Sequence, residues 1–506
     1  MNKGPLMQRR DFCLSLLAAG SGLSAAATKP AAGCADPSSA FAAARATTPW
    51  TLGFANQAFD AEPLAMKLHG RLPKGLSGAF FRNGPARSEL GGERYRHWFD
   101  GDGAIQRYDI GARGIRHQSR FVRTPKFQAD TVAGRMRRMA FGTHPRDAEP
   151  LRSADSMNVA NTSVVQHGGR LLALWEGGSA TEIDPQTLAT RGFRIWSPEL
   201  AGMPFSAHPR VEPDGTMWNF GISSLQGLLT IYRIDASGRL MQSVTQPLPH
   251  MPMVHDFAVT ERHLVFLLPP LVFDAERIQA GATFLDAHVW RPELGLRVLV
   301  LEKARLDAPR WFDLPAGFVF HIGNACEEGG VIRLDCMRSS GAWQVQQGFL
   351  DTMCGEYRPQ QQTQLMLVEL DLASGRARQA VLAPVAEFPR VDPRFIGRRY
   401  SQLFAAARSS ATMSPGFDAV MRVDLPSGRI DRYDYGAGLL VEEHVFVPRA
   451  GGAEGQGWLI GSALDPKRQR MLFSVFDASR LAAGPLVQGE MARTLPLGLH
   501  GNFVAG

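Results

Sequence analysis

The feature that most limits the fold is a series of short apolar runs, each followed by a turn. The runs are four to seven residues long and rich in Val, Leu, Ile and Phe, as at 229–234, 264–268, 298–301 and 365–370, and such runs are typical of β-strands. The 506 residues also include 52 glycines and 33 prolines, which supply the turns that many short strands need. A hydrophobic content of 44% excludes a disordered chain. The sequence therefore predicts an all-β protein.

One turn pattern recurs along the chain. An apolar residue and an aspartate end a strand, and a Ser-Gly or similar pair precedes the return strand. The aspartates are separated by 75, 51, 136 and 53 residues, and 136 is two steps of 68: Asp109, Asp184, Asp235, Asp371 and Asp424. One such hairpin in each four-stranded blade of a β-propeller would give this spacing. Because the same turn occurs in sandwiches and barrels, the spacing favours a propeller without excluding them.

The first 35 residues have the pattern of an export signal. The pair Arg9–Arg10 precedes a weakly apolar run at 12–27, which is typical of a twin-arginine signal and too short to be a stable membrane span. Ala25–Ala27 and Gly33–Ala35 are candidate cleavage sites. We therefore expect a periplasmic protein, or a cytoplasmic one if the signal is not functional.

Downstream of the signal we expect a low-complexity linker at 36–49 and a single propeller domain at 50–506. The net charge is +7, but the arginines are scattered among acidic residues and form no basic stripe. Nucleic acid is therefore not an expected partner.

Cysteine spacing gives limited information. Cys326 and Cys336 flank a Glu-Glu-Gly-Gly turn in a predicted hairpin, so a disulfide between them is compatible with an oxidising compartment. Cys34 lies at the end of the predicted signal and would leave with it if cleavage occurred after that residue. Because no Cys-x-x-Cys pair occurs, a zinc ribbon is not expected.

Four histidines stand out by position. Each lies at the end of a strand-like run or in a tight turn, and their separations of 47, 66 and 179 residues are roughly a blade length or a multiple of it: His208, His255, His321 and His500. Side chains at such positions can point toward the axis of a propeller, where imidazoles from different blades could bind one metal ion. Any one of them taken alone is explained equally well as a packed, hydrogen-bonded histidine.

The order of short motifs between Phe81 and Phe503 resembles that of the carotenoid cleavage oxygenases, a family that includes lignostilbene dioxygenases. These motifs are Phe81–Pro85, His97–Gly103, Asn161–Thr162, Leu174–Gly178, Glu387–Pro389, Glu443–Pro448, Phe476–Ala478 and His500–Gly501. The resemblance implies a seven-bladed propeller with a dome of loops and short helices over the metal face. It also implies an enzyme that uses Fe(II) and dioxygen to cleave a C=C bond of a carotenoid or apocarotenoid into carbonyl products.

The resemblance assigns roles to particular residues. The four histidines would hold Fe(II), although imidazole alone does not select iron over copper, nickel or zinc. Glu176 would hold His255, Glu387 would hold His321 and Glu443 would hold His500, which leaves His208 without a carboxylate partner. The methyl group of Thr162 would crowd one coordination position.

The substrate of this family would lie in a tunnel with aromatic and aliphatic walls, and Trp175 and Phe320 are candidate wall residues. The tunnel would open on an apolar patch able to contact a membrane surface; the segment 264–273 could form this mouth or be a buried strand. Lignostilbene dioxygenases instead bind a 4-hydroxystyryl group through a tyrosine and a lysine, and Tyr95 and Lys126 occupy roughly corresponding positions. We favour the carotenoid class, with 4-hydroxystilbenes as the alternative.

Two functions outside the family are also compatible with a propeller. A calcium-dependent lactonase would need axial carboxylates or amides, whereas the axial candidates here are imidazoles. A non-catalytic propeller that binds a partner would have no need to retain the full set of histidines and glutamates.

Overall fold

The short strands form seven antiparallel sheets of four or five strands in the computed structural model, which describes residues 34–408 and 414–506. The sheets are the blades of a seven-bladed β-propeller, and the predicted fold class is confirmed. Inner edge strands of neighbouring blades contact one another and form the wall of the hub.

Each blade is numbered in chain order, with strands given from the hub outward. Blade 1 consists of Gly501–Ala505, Gly78–Arg87, Asp102–Gly111, Gly114–Phe121 and Ala61–Ala65. Blade 2 consists of Ser163–His167, Arg170–Leu174, Thr181–Ile183 and Thr190–Phe193. Blade 3 consists of Arg210–Val211, Met217–Ser223, Leu228–Ile234 and Leu240–Pro247. Blade 4 consists of Phe257–Val259, His263–Leu268, Leu296–Glu302 and Arg305–Leu314.

The remaining blades follow the same plan. Blade 5 consists of Phe318–Glu328, Val331–Ser339, Gln364–Asp371 and Arg376–Ala383. Blade 6 consists of Ala386–Arg390, Gln402–Ala407, Ala419–Asp424 and Arg429–Asp434. Blade 7 consists of Leu440–Pro448, Gly457–Asp465, Arg470–Asp477, Val487–Met491 and Lys67–Gly70. Two small ribbons pair Leu271–Phe273 with His288–Trp290 and Glu89–Leu90 with Glu93–Arg94.

The ring is closed by strands from both ends of the chain. The C-terminal strand Gly501–Ala505 pairs with Gly78–Arg87 and becomes the inner strand of blade 1. Near the N-terminus, Lys67–Gly70 pairs with Val487–Met491 and extends blade 7. The residue before the C-terminal strand, His500, is thereby fixed at the hub.

The recurring aspartate turns connect the third and fourth strands of their blades. In blade 3, for example, the carboxylate of Asp235 accepts hydrogen bonds from the backbone N–H groups of Ser237 at 3.0 Å and Arg239 at 2.9 Å. The interval of 136 residues between Asp235 and Asp371 is double because it spans blade 4, whose corresponding turn follows Glu302 and has no aspartate.

Short helices and loops cover one face of the propeller. The α-helices are Pro37–Arg45, Pro125–Ala133, Ala275–Gln279 and Phe349–Met353, and a π-turn spans Gln344–Gly348. The 3₁₀ turns are Pro49–Phe54, Trp98–Asp100, Ala154–Met157, Pro198–Leu200, Pro292–Leu294, Pro393–Phe395 and Leu481–Ala483. Over the residues described, none of the helices has the length and apolar character needed to cross a membrane.

Two expectations for the N-terminal region and the cysteines are corrected. The predicted linker at 36–49 contains the helix Pro37–Arg45, whose Phe41 is only 1% exposed. A disulfide joins Cys34 to Cys354, whereas Cys326 and Cys336 are free and buried. The predicted hairpin is present, but Cys326 lies opposite Arg333 and Cys336 opposite Ile322, so the two thiols do not face each other. Of the predicted signal, residues 1–33 lie outside the described part of the chain.

Candidate metal centre and cavity

The four predicted histidines converge at the hub, each from a different blade. His208 and His255 lie just before the inner strands of blades 3 and 4, and His500 lies just before that of blade 1, whereas His321 is within the inner strand of blade 5. Successive Nε2 atoms are close together. The distance is 2.9 Å between His208 and His255, 3.2 Å between His255 and His321, and 3.1 Å between His321 and His500. All four ligand atoms lie within 4.8 Å of one another.

Three of the imidazoles contact the predicted glutamates through Nδ1. His255 contacts Glu176, His321 contacts Glu387, and His500 donates to Glu443 at 3.0 Å. An Nδ1–H that donates to a carboxylate leaves Nε2 with a lone pair and no proton. The Nε2 atoms of these three imidazoles therefore face one another as acceptors, an arrangement that a cation among them would stabilise.

Burial keeps two of these four imidazoles, His208 and His500, neutral. It lowers the pKa of His500 to about 3, and together with the neighbouring imidazoles it lowers the pKa of His208 well below its usual range. Burial opposes protonation of His255 as well, but the carboxylates of Glu176, Asp256 and Glu387 together outweigh it and raise the pKa of His255. A neutral imidazole is the form that binds a metal ion.

The donor set fits a divalent transition metal. Two nitrogens that each lie about 2.1 Å from one ion and at right angles to each other are about 3.0 Å apart, which matches the separations of 2.9 to 3.2 Å between the Nε2 atoms. Imidazole ligands suit iron, copper, nickel and zinc. His208, His255, His321 and His500 would hold the ion.

His208 and Thr162 differ from the other members of the set. Within residues 34–408 and 414–506, no carboxylate bonds to His208, and its backbone N–H donates to Ser206 Oγ at 3.1 Å. Thr162, just before the inner strand of blade 2, donates its hydroxyl to Asn161 Oδ1 at 3.1 Å. Thr162 borders the cavity, and its hydroxyl is already used in the bond to Asn161.

A cavity of about 690 Å³ lies between the hub and the dome. His255, His321 and His500 border it, and its other walls are mainly aromatic and aliphatic. The predicted wall residues Trp175 and Phe320 both border it, and the Phe320 ring meets the His255 ring edge-on at 5.2 Å. A cavity of this size and character suits an extended apolar ligand beside the four imidazoles.

The structure corrects one substrate expectation and agrees with one of two alternatives left open for another segment. Tyr95 and Lys126 do not border the cavity: they are 1% and 0% exposed, and Lys126 bonds to Tyr95 and to Asp130 at 2.9 Å, in a closed buried cluster. The segment 264–273 is not a tunnel mouth, because 264–268 is a buried strand and only Phe273 reaches the cavity.

Some residues of the centre were not predicted from the sequence. Phe388 packs against the rings of His321 and His500 at 5.4 and 5.3 Å. Its φ of 56° belongs to an irregularity between Glu387 and Arg390 in the inner strand of blade 6. Arg390 forms two hydrogen bonds of 2.8 Å to the Glu443 carboxylate. Both residues lie within three positions of Glu387 in the sequence, but the side to which each points depends on that irregularity.

A second arginine ties the strands of three ligands together. Arg210, two residues after His208, forms bonds of 2.7 and 2.6 Å to Asp256, the neighbour of His255. The same guanidinium donates to the carbonyl of Ile322, the neighbour of His321. Blades 3, 4 and 5 are therefore cross-linked directly beside their ligands.

Comparisons with known proteins agree with the fold and identify the family. The family model described as "Retinal pigment epithelial membrane protein" matches residues 54–505. Apocarotenoid-15,15'-oxygenase of Synechocystis sp. is 31% identical over 90% of this chain and 96% of its own. Isoeugenol monooxygenase of Pseudomonas putida is 30% identical over 87% and 95%. A solved structure of a mutant of the Synechocystis apocarotenoid oxygenase has a TM-score of 0.82 at 28% identity, covering 90% of this chain and 98% of that one. The chain belongs to the carotenoid oxygenase family, as its motif order predicted.

Proposed function

We propose that this protein is an Fe(II)-dependent dioxygenase that cleaves one C=C bond of an apocarotenoid or carotenoid. The two atoms of O₂ would end in two carbonyl products, one on each carbon of the cleaved bond. The observation that carries this proposal is the convergence of four imidazole Nε2 atoms at the wall of a large, mainly apolar cavity.

The residues of the centre have separable tasks in this reaction. Fe(II), when bound, would supply the capacity to bind and activate dioxygen, which zinc lacks. The four histidines would hold the ion, and Glu176, Glu387 and Glu443 would fix the tautomer and ring angle of three of them. Phe320 and Trp175 would hold the polyene against the centre.

The character of the cavity walls supports one of the substrate classes over the other. The Pseudomonas relative is named for isoeugenol, a small phenolic alkene. A site that selects a phenol needs a buried hydrogen-bonding partner for its hydroxyl. The pair expected to supply it, Tyr95 and Lys126, is occupied within its own cluster. The apolar cavity therefore supports the polyene as substrate over the phenolic alkene or 4-hydroxystilbene.

The test is incubation of the anaerobically iron-loaded protein with apocarotenoids, isoeugenol and 4-hydroxystilbenes in separate reactions, followed by addition of O₂ and mass identification of aldehydes. We expect two carbonyl products from an apocarotenoid. Cleavage of only the phenolic substrates would replace the proposed substrate class. No consumption of O₂ with any of them would contradict the proposed activity.

We also propose that the protein is exported by the twin-arginine route to the periplasm. The disulfide between Cys34 and Cys354 supports this, because disulfides persist in oxidising compartments. The bond requires that Cys34 remain in the exported chain, so of the two candidate cleavage sites Ala25–Ala27 is favoured. Mass measurement of the N-terminal peptide of the exported protein tests this: a mature chain that begins after Cys34 would contradict it.

The cavity also supports the proposal of a peripheral membrane contact. Leu225, on the turn after strand Met217–Ser223, borders the cavity and is 38% exposed. An apolar side chain at this position suits the transfer of a lipophilic substrate from a membrane surface. Leu225→Asp should reduce binding to phospholipid vesicles in a flotation assay, and unchanged binding would contradict this contact.

A further inference from the structure

The three glutamates that contact the histidines do not have equivalent surroundings. The side chain of Glu176 is 31% exposed, that of Glu387 is 10% exposed, and that of Glu443 is 1% exposed. In the described part of the chain, neither Glu176 nor Glu387 is bonded to an arginine, and one oxygen of Glu387 has no partner. Only the most deeply buried carboxylate, Glu443, is bonded by a guanidinium.

Arg390 and the backbone saturate the Glu443 carboxylate. Oε1 accepts from His500 Nδ1 at 3.0 Å and from Arg390 Nε at 2.8 Å. Oε2 accepts from Arg390 Nη2 at 2.8 Å and from the backbone N–H of Gly501 at 2.7 Å. Arg390 Nη2 also donates to the Gly501 carbonyl at 2.9 Å. One guanidinium therefore fixes both the carboxylate and the backbone next to His500.

The local irregularity in blade 6 makes this contact available. On a regular strand, residues three positions apart point to opposite faces. The register shifts between Glu387 and Arg390, with Phe388 at a positive φ, and such a bulge reorients the side chains that follow it. As a result Glu387 bonds to His321 while Arg390 bonds to the partner of His500. A single segment of blade 6 thus supports two of the four histidines.

From this geometry we infer that Arg390 is a positioning residue of the metal centre. Its two-pronged bond to Glu443 holds His500 in the ligating orientation and offsets a carboxylate charge that solvent does not reach. The inference rests on the proposed function only in requiring that His500 bind a metal ion. Arg390 does not border the cavity, so substrate contact is not part of its role.

Two physical effects of removing the guanidinium have opposite signs. Loss of a positive charge near the centre would by itself tighten binding of a cation. Loss of the two-pronged bond would free Glu443 and His500 to leave the ligating orientation and would weaken metal binding. Outer partners of metal-bound histidines typically contribute 10- to 100-fold in metal affinity. The sign of the change therefore distinguishes positioning from simple electrostatics.

Arg394 provides a matched control four residues away. It also forms two bonds to a carboxylate, Asp392, at 2.9 and 2.6 Å, and it bonds to the carbonyl of Gly452 at 2.8 Å. The exposed fractions of the two arginine side chains are close, 36% for Arg394 and 32% for Arg390. Arg394→Gln therefore removes a similar interaction without touching a histidine or its glutamate.

The experiment measures Co(II) binding to the full chain by competition with a chelator, without substrate or O₂, together with the visible absorption of bound Co(II). For Arg390→Gln we expect affinity weaker by about 10- to 100-fold and an altered Co(II) spectrum, whereas Arg394→Gln keeps both. Arg390→Lys retains the charge but cannot form the two-pronged bond, and its Co(II) affinity should remain at least about threefold weaker than that of the wild type.

Equal or tighter binding by Arg390→Gln would overturn the inference, as would an equal loss in Arg394→Gln or full recovery in Arg390→Lys. Circular dichroism of each variant verifies folding. If Arg390→Gln is unfolded, Arg390→Lys carries the test alone. If the wild type binds Co(II) but cleaves no substrate, the proposed function fails while the inference about Arg390 stands.

Discussion

The disulfide from Cys34 to Cys354 should hold the N-terminal helix Pro37–Arg45 against the dome. The helix has nine residues, fewer than an isolated helix needs to be stable in water. Its only buried side chain is Phe41, on which the guanidinium of Arg94 stacks at 3.3 Å. We therefore expect Cys354→Ser to release this helix while the propeller stays folded.

The size of the effect follows from the flexible segment that the bond closes. Cys34 and Cys354 are 320 residues apart in sequence, but with the propeller folded only the stretch from Cys34 to the buried Trp50 becomes flexible. Closing a loop of about 15 residues is worth about 3 kcal/mol, or roughly 100-fold in the population of the released state. The full sequence separation would overstate the stabilisation.

Hydrogen–deuterium exchange of the amides in the helix Pro37–Arg45 measures this population. Exchange in Cys354→Ser should be roughly 100-fold faster than in the oxidised wild type, and the reduced wild type should match the variant. Amides in the blade strand Leu459–Asp465 provide an internal control and should be unchanged. A change below about threefold in the helix would refute the argument, because the contacts of Phe41 alone would then suffice to hold it.

Three further predictions concern the metal centre and the propeller core. His321→Ala should abolish both metal binding and cleavage, as measured by metal content and O₂ uptake; full activity would contradict the proposed site. Glu387→Gln keeps an acceptor for His321 but removes the charge, and it should weaken Co(II) affinity by about 10- to 100-fold, while the control Glu369→Gln, in a half-buried pair with Arg333, should not. Burial raises the pKa of Asp335 to about 7, above that of an unfolded aspartate, so stability should fall as the pH rises from about 4 to 7. Asp335→Asn should remove that fall, and an unchanged slope in melting temperature between pH 4.5 and 7.5 would contradict this.

The parts of the fold that depend on local sequence were predictable. Asp184, Asp235, Asp371 and Asp424 form their turns with neighbouring backbone amides, so a local pattern was sufficient to predict the hairpins of these blades. The convergence of His208, His255 and His321 was suggested by their spacing and specified by the family resemblance. Both signals depend on the repeat of the blades, which is visible in the sequence.

Features that depend on contacts between distant segments were not predictable. Cys34 pairs with a cysteine 320 residues away, across the dome, and no local pattern indicates this. Lys126 was expected near the substrate, but it is enclosed by Tyr95, Asp102 and Asp130. Such ion pairs form wherever the dome loops bring opposite charges together, which the order of residues along the chain does not determine.

The arrangement of charge around the hub favours a bound cation. Glu176, Glu387 and Glu443 place carboxylates behind His255, His321 and His500, and Arg390 offsets one of them. The neighbouring pair of Arg210 and Asp256 adds no net charge. Because electrostatic interactions are strong where water is excluded, the two carboxylates that lack a guanidinium should attract a cation to the four imidazoles.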